Sequence, residues 1–317
     1  LSKKLATIKV DIPLDIDFNA LVLEKPNVPV LGKLLKRYEF NSLLKELDSE
    51  DSEEIQVDYK TEIITEQEEL KKVIELINEK KIFALKTFRT DKNIIEDKIV
   101  GISISLDGET GYYLNCLENP KLINELKSVL EDNEIKKLGH GLKYDIISFL
   151  NYGIDMVGNE LDTLIAAYLL KPSSSEYDLS DVLFDHSNKK IKTAIELLGK
   201  GKSAKQYKDL SIEDISVYGT DYVISVLQLK DMLLEDLKAE ELDILFNEIE
   251  MPLIKVLASM EYEGFSVDES ILSKLDIELT ERINVLTENI YEYAGEEFNI
   301  NSPKQLGVIL FDRLELP

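Results

Sequence analysis

Ile99-Val-Gly-Ile-Ser-Ile-Ser-Leu106, then Asp107-Gly108, then Gly111-Tyr-Tyr-Leu-Asn-Cys-Leu117 is the stretch whose reading decides the fold. Apolar and small residues alternate along its first eight positions, which is the period of a strand. Asp-Gly between two such runs predicts a tight hairpin, because glycine accepts the left-handed backbone that the turn needs. Upstream, Ile82-Phe-Ala-Leu85 is a short apolar run that predicts a buried strand. Before it, Thr65-Glu-Gln-Glu68 predicts a helix start, with Thr65 as N-cap and the Glu three residues on closing a capping box. That helix extends to about Lys80, with Leu70, Val73, Ile74 and Ile77 on one face. Downstream, a helix over Leu122–Leu130 leads into a fourth strand, Ile135–Gly139. Helices follow around Leu142–Asn151 and Asp162–Leu170, with more helical pattern up to Leu237. A hairpin followed by β-α alternation predicts an α/β fold, a mixed sheet flanked by helices.

The 317 residues suffice for one large or two medium domains, and 44% hydrophobic with 31% charged residues is a globular composition. Acidic residues outnumber basic ones 62 to 37, a formal net charge of −25 that argues against a basic nucleic-acid coat over the whole surface. A local groove for nucleic acid stays open. One cysteine, Cys116, excludes a disulfide framework and a cysteine-rich zinc site. Two histidines, His140 and His186, leave little for a histidine metal cage. No run approaches the roughly 18 apolar residues of a membrane-spanning helix. The chain opens on Leu1-Ser-Lys-Lys without a signal-peptide core, so it reads as a piece of an intracellular protein.

Three regions follow from the pattern. Residues 1–56 read as a linker, broken by Pro13, Pro26 and Pro29 and running into an acidic, solvated stretch from Asn41 to Glu69. Residues 57–237 carry the strands and their helices. Residues 238–317 turn wholly helical, with one run from Ile249 to Glu261 ended by Gly264 and another from Ser270 to Ala294 ended by Gly295.

Several phrases are more specific than pattern. Gly139-His-Gly-Leu-Lys-Tyr-Asp145, Leu161-Asp-Thr-Leu-Ile-Ala-Ala-Tyr-Leu-Leu170 and Tyr177-Asp-Leu179 resemble the 3′→5′ exonuclease-like domain of bacterial family A DNA polymerases. Gly295-Glu-Glu-Phe-Asn-Ile-Asn-Ser-Pro-Lys-Gln-Leu-Gly-Val-Ile-Leu-Phe311 is similar to the start of their polymerase domain, in the thumb. The opening, up to the Phe40-Asn-Ser-Leu-Leu region, resembles the link that leaves their 5′-nuclease domain. The resemblance covers essentially the whole chain in family order. It implies a ribonuclease-H-like exonuclease fold at 57–237 followed by truncated thumb helices at 238–317. The parent it implies is a bacterial, cytoplasmic, nucleoid-associated and monomeric DNA-directed DNA polymerase, a nucleotidyltransferase of replication and repair. That enzyme would use Mg²⁺ and engage a DNA primer–template. The piece itself is expected to carry no nucleotidyl-transfer centre and no cofactor.

The exonuclease site can be carried over residue by residue. Two-metal hydrolysis gathers carboxylates around two cations about 4 Å apart. The resemblance implies an Asp and a Glu two residues apart on the first strand, where period two aims both at one face. Here Lys86 stands at the Asp position and Phe88 at the Glu position. The second motif keeps its carboxylate, Asp145. In the third, Tyr218 matches the family tyrosine, Tyr222 takes the carboxylate position, and Asp221 lies one place early, roughly 100° around a helix. An ammonium at Lys86 would repel a dication. The expectation is therefore an inactive exonuclease with no bound metal, its domain serving as a scaffold. An active proofreading exonuclease with a reduced metal site, using Asp145 with Asp221 or Asp162, is one alternative. An independent protein-interaction module is another.

Other residues receive plainer readings. Asp162 is expected as a helix N-cap, His140 as a hydrogen-bonded structural histidine and Cys116 as inert packing. Gly139 is expected to give a strand-to-helix corner room. Lys200, Lys202, Lys205 and Lys208 are expected in a mobile, solvated basic loop. In the thumb segment, Ser302 reads as an N-cap with Pro303 at the first helical position and Gln305 completing a capping box. The resemblance implies that Asn299, Asn301, Ser302 and Lys304 contact the primer–template backbone, weakly and with salt sensitivity in the isolated piece.

Overall fold

A computed structural model of the chain describes residues 2–8, 27–38, 40, 43, 59–90, 97–174, 177–187 and 189–316. Most of the linker read at 1–56, including Pro13 and Pro26, lies outside the described residues. Two short helices, Ser2–Ala6 and Val28–Arg37, are described there.

Six strands form one mixed sheet: β1 (Lys60–Ile64), β2 (Ile82–Arg89), β3 (Ile99–Ser105), β4 (Thr110–Asn115), β5 (Lys136–Gly139) and β6 (Asn159–Asp162). Their spatial order is β1-β4-β3-β2-β5-β6. The central strands β2, β3 and β4 are antiparallel neighbours, whereas β1 on β4, β5 on β2 and β6 on β5 are parallel. The hairpin forms as the Asp-Gly pair dictates: Gly108 takes φ +75°, and Asp107 Oδ1 accepts the amides of Glu109 and Thr110 at 3.0 and 2.9 Å.

Four sequence expectations are corrected. The sheet has six strands rather than four, because β1 and β6 are short edge strands whose residues, Lys-Thr-Glu-Ile-Ile and Asn-Glu-Leu-Asp, are too polar to show a strand's apolar pattern. Strand β2 continues past Leu85 to Arg89, since both of its flanks are covered and a polar residue such as Thr87 is satisfied inside. The helix α1 (Gln67–Lys80) is capped one residue later than expected. Glu66 holds the N-cap position, and the Glu69 carboxylate accepts the Thr65 and Glu66 amides at 3.2 Å each. Leu122–Leu130 is two short helices, Lys121–Glu125 and Lys127–Leu130, rather than one.

The helices that position the site are α2 (Leu142–Leu150), α3 (Thr163–Leu170), α4 (Leu179–Ser187) and the 28-residue α5 (Ile212–Ala239). Helix α5 lies across the sheet face, burying Tyr218, Tyr222, Val223, Val226, Leu229 and Leu233 in the core. Its approach needs glycine: a Cβ on Gly219 would collide with Ser103 Oγ and stand 2.9 Å from the Phe88 ring. Beyond α5 the chain continues into α6 (Met251–Glu263), α7 (Glu269–Ala294) and α8 (Pro303–Gly307). Helix α6 packs on α2 through Met251, Ile254 and Ala258, and Lys143–Glu261 (2.6 Å) and Lys255–Asp155 (2.8 Å) pin it there.

Candidate functional site

Strand alternation sends Lys86 and Phe88 toward α5, as expected of positions two apart. Tyr218 and Tyr222, one helical turn apart on α5, meet them there. The Lys86 ammonium lies over the Tyr222 ring, 5.2 Å from its centroid. Phe88 is fully buried and its ring centroid stands 6.0 Å from Tyr218, 5.1 Å from Tyr207 and 6.2 Å from Tyr113. Edge-on and tilted aromatic pairs at such separations are each worth about 0.5–1.5 kcal/mol beyond their burial. The five residues singled out from the sequence, Lys86, Phe88, Asp145, Tyr218 and Tyr222, thus converge, but as an aromatic cluster with a cation at its edge.

Asp145 is fully buried in the first turn of α2. One carboxylate oxygen accepts the Thr87 amide at 2.9 Å and the Thr87 hydroxyl at 2.6 Å, beyond the last β5 pair, Ala84–Leu138. The other oxygen has no hydrogen-bond partner. Asp162 is equally buried and does cap a helix. It accepts Leu164 N at 3.0 Å, and it also accepts Gly141 N at 2.9 Å and Leu142 N at 2.7 Å, so it ties the start of α3 to the start of α2. Burial pushes its carboxyl up, with those three amides in partial opposition.

His140 behaves as a structural residue. Its Nδ1 lies 2.9 Å from Thr163 Oγ1, whose hydroxyl donates to Gly139 O at 3.2 Å, and its own carbonyl accepts the Tyr222 hydroxyl at 3.2 Å. Burial, and then the Lys86 charge, lower its pKa to about 3, so the imidazole is neutral and cannot serve as a cationic donor near pH 7. Burial likewise pushes the Tyr222 and Tyr218 phenols well up. The Cys116 thiol is buried and pushed up to about 12, the inert packing expected of it. A side chain at Gly139 would collide with Leu142, so that glycine does make room at the corner.

Asp221 is half-buried; burial raises its carboxyl to about 6, with the Lys192 charge in partial opposition. The donor set therefore does not fit a pair of divalent cations. A phenol, a phenyl ring and an ammonium occupy three of the four expected ligand positions, and the fourth, Asp145, is engaged by Thr87. Among the described residues no group of three or more His, Cys, Asp or Glu side chains is placed to hold a metal ion.

Sequence reasoning missed Tyr207. The segment bearing Lys200, Lys205 and Lys208 is not a free loop. It folds into two 3-10 turns, Gly201–Ser203 and Tyr207–Asp209, and lays the Tyr207 ring between Phe88 and Tyr218. An aromatic residue interleaved among lysines was the available signal. A cavity of about 180 Å³ remains between this turn and the sheet, lined by Lys86, His140, Asp178, Lys192, Tyr207 and Tyr222, among others.

At the far end, Asn299, Asn301 and Lys304 are exposed and Ser302 is half-buried. Ser302 caps α8, accepting Gln305 N at 3.4 Å. The reciprocal half of the expected capping box is absent: Gln305 Oε1 accepts Asn299 N at 2.8 Å, because Ser302 N already donates to Asn299 O at 2.9 Å.

The sheet order, the covering helix and the converging motif positions define a ribonuclease-H-like 3′→5′ exonuclease fold followed by a helical region. The profile of the family described as 3′-5′ exonuclease matches residues 61–238, and the chain belongs to that family. A second profile, DNA polymerase family A, matches residues 269–317. DNA polymerase I of Bacillus subtilis is 32% identical over 100% of this chain and 35% of its own length. DNA polymerase I of Pseudomonas aeruginosa is 30% identical over 100% of this chain and 37% of its own length. The chain thus spans about a third of the length of these relatives. A solved structure, the POL domain of Pol1 from M. smegmatis in complex with DNA primer-template and dNTP, superposes with a TM-score of 0.62. It is 24% identical, covering 77% of this chain and 40% of that one, and supports the fold.

Proposed function

We propose that this chain is the exonuclease-like domain and the first thumb helices of a bacterial DNA-directed DNA polymerase of replication and repair. In this reading the exonuclease-like domain, residues 57–237, is hydrolytically silent and braces the polymerase domain that begins at 238. The observation that carries it is the aromatic and cationic filling of the cleft by Lys86, Phe88, Tyr207, Tyr218 and Tyr222. Hydrolysis would need cations held against the scissile phosphate, and Lys86 and Phe88 supply neither negative charge nor oxygen for that. The bracing role is supported by α6, which a buried apolar face and the Lys143–Glu261 ion pair join to α2, and the Lys255–Asp155 pair to the loop after it.

Mg²⁺ and the primer–template belong, in this reading, to the whole polymerase, a cytoplasmic, nucleoid-associated monomer. Asn299, Asn301, Ser302 and Lys304 would contact the DNA backbone there; their exposure and the polymerase-family match across them support this. The test is incubation of 5′-labelled single-stranded DNA with the chain and Mn²⁺ or Mg²⁺. No shortening from the 3′ end is expected. Metal-dependent shortening that Asp145→Ala abolishes would overturn the reading.

A further inference from the structure

We propose that the residual cavity above Lys86 is a receptor for a phosphate group, free or carried as a monoester, bound without any metal ion. Its walls are a helix start, two tyrosine-bearing elements and the sheet, and its volume is about 180 Å³. Two cations line it, Lys86 and Lys192, and their situations differ. Lys192 is exposed and faces the Asp221 carboxyl. Lys86 is half-buried, has no ion-pair partner among the described residues, and rests only on the face of Tyr222.

The acidic groups around the cavity each accept hydrogen bonds from the protein. Asp178 Oδ1 accepts the Ser180 amide at 2.9 Å at the start of α4, and its charge lies beside the phenols of Tyr207 and Tyr218. Asp145 is turned to Thr87, and Asp162 is held by three amides. His140 is neutral. Lys86 and Lys192 set two ammonium groups against the one lining carboxylate, Asp178, a balance that favours an anion, and the Tyr207 phenol, hydrogen-bonded to Tyr218, adds a donor suited to phosphate oxygens. The same lysine that excludes a dication thus gives the cleft the opposite preference.

The experiment is a ³¹P NMR titration of the 317-residue chain at low salt with EDTA present, using inorganic phosphate in one arm and deoxyadenosine 5′-monophosphate in the other. Saturable binding is expected in wild type, weakened about tenfold or more in Lys86→Met and kept within about threefold in Lys86→Arg. Lys86→Gln replaces the Met variant if near-ultraviolet circular dichroism shows that variant misfolded. Tighter binding of the monophosphate assigns the site to a phosphate ester that also uses the tyrosines, and equal affinity assigns it to free phosphate. Absence of saturable binding in wild type, equal binding by wild type and Lys86→Met, or binding that appears only when Mg²⁺ replaces EDTA would each overturn the proposal.

Discussion

Tyr222 stands where a carboxylate would complete a metal site, and its hydroxyl is spent on the His140 carbonyl while its ring receives the Lys86 ammonium. A single substitution there changes the job of three residues. His140 is locked neutral by burial and by Lys86, so its ring proton shifts should stay flat from pH 8 down to about pH 4 in an NMR titration. A midpoint near 6.5 would contradict the packing described. Asp221 makes the opposite kind of prediction. Its folded pKa of about 6 exceeds the ordinary value near 4, so the carboxyl favours the folded state when protonated. That contribution is full below about pH 4 and is lost as pH rises through 6. Asp221→Asn should therefore be more stable than wild type by about 1–2 kcal/mol at pH 8, with the gap closing toward pH 4 in urea unfolding. The convergence of Lys86, Phe88, Asp145, Tyr218 and Tyr222 was legible only through the family resemblance, whose motif positions they match. For Tyr207 the interleaving with lysines marked the residue, but not its contact with Phe88, which spans a long sequence separation.

Strand β2 and helix α5 are held together by the ring packing of Phe88 against Tyr218 and Tyr207. Phe88→Ala should cost about 3–5 kcal/mol, the range for a fully buried phenylalanine, measured by urea unfolding. Lys86→Asp, Phe88→Glu and Tyr222→Asp together would place three carboxylates in a space filled by Tyr207, Tyr113 and Tyr218. That variant should be strongly destabilised and should not degrade single-stranded DNA; efficient Mn²⁺-dependent degradation would show the cleft far more plastic than its packing implies. Between α2 and α6, a double-mutant cycle on Lys143 and Glu261 should give a coupling of at most about 1 kcal/mol that shrinks in high salt, as for other partly exposed pairs. Element by element, the hairpin and the long amphipathic helices were readable because turn chemistry and apolar period agree. The edge strands β1 and β6 were not, since only tertiary pairing makes Lys60–Ile64 and Asn159–Asp162 extended.

Across the molecule the apolar surface tells two stories. The α/β region buries a continuous core from Ile64 to Leu237, whereas α7 exposes Ile271, Leu272, Leu275, Leu279, Ile283 and Leu286 along its length. No described helix is long and apolar enough to cross a membrane. The whole-chain charge of −25 gives no general attraction for nucleic acid, so the DNA contact proposed above is confined to a local surface. The proposed reading turns on an exchange, an aromatic cluster with an ammonium at its edge in place of a cation-binding carboxylate cluster. Titration of the chain with Mn²⁺, followed by isothermal calorimetry and by loss of the free-ion paramagnetic resonance signal, tests that exchange most directly. No stoichiometric Mn²⁺ binding that depends on Asp145 is expected, with identical traces for wild type and Asp145→Ala; a two-ion, micromolar site that Asp145→Ala removes would overturn the aromatic reading of the cleft.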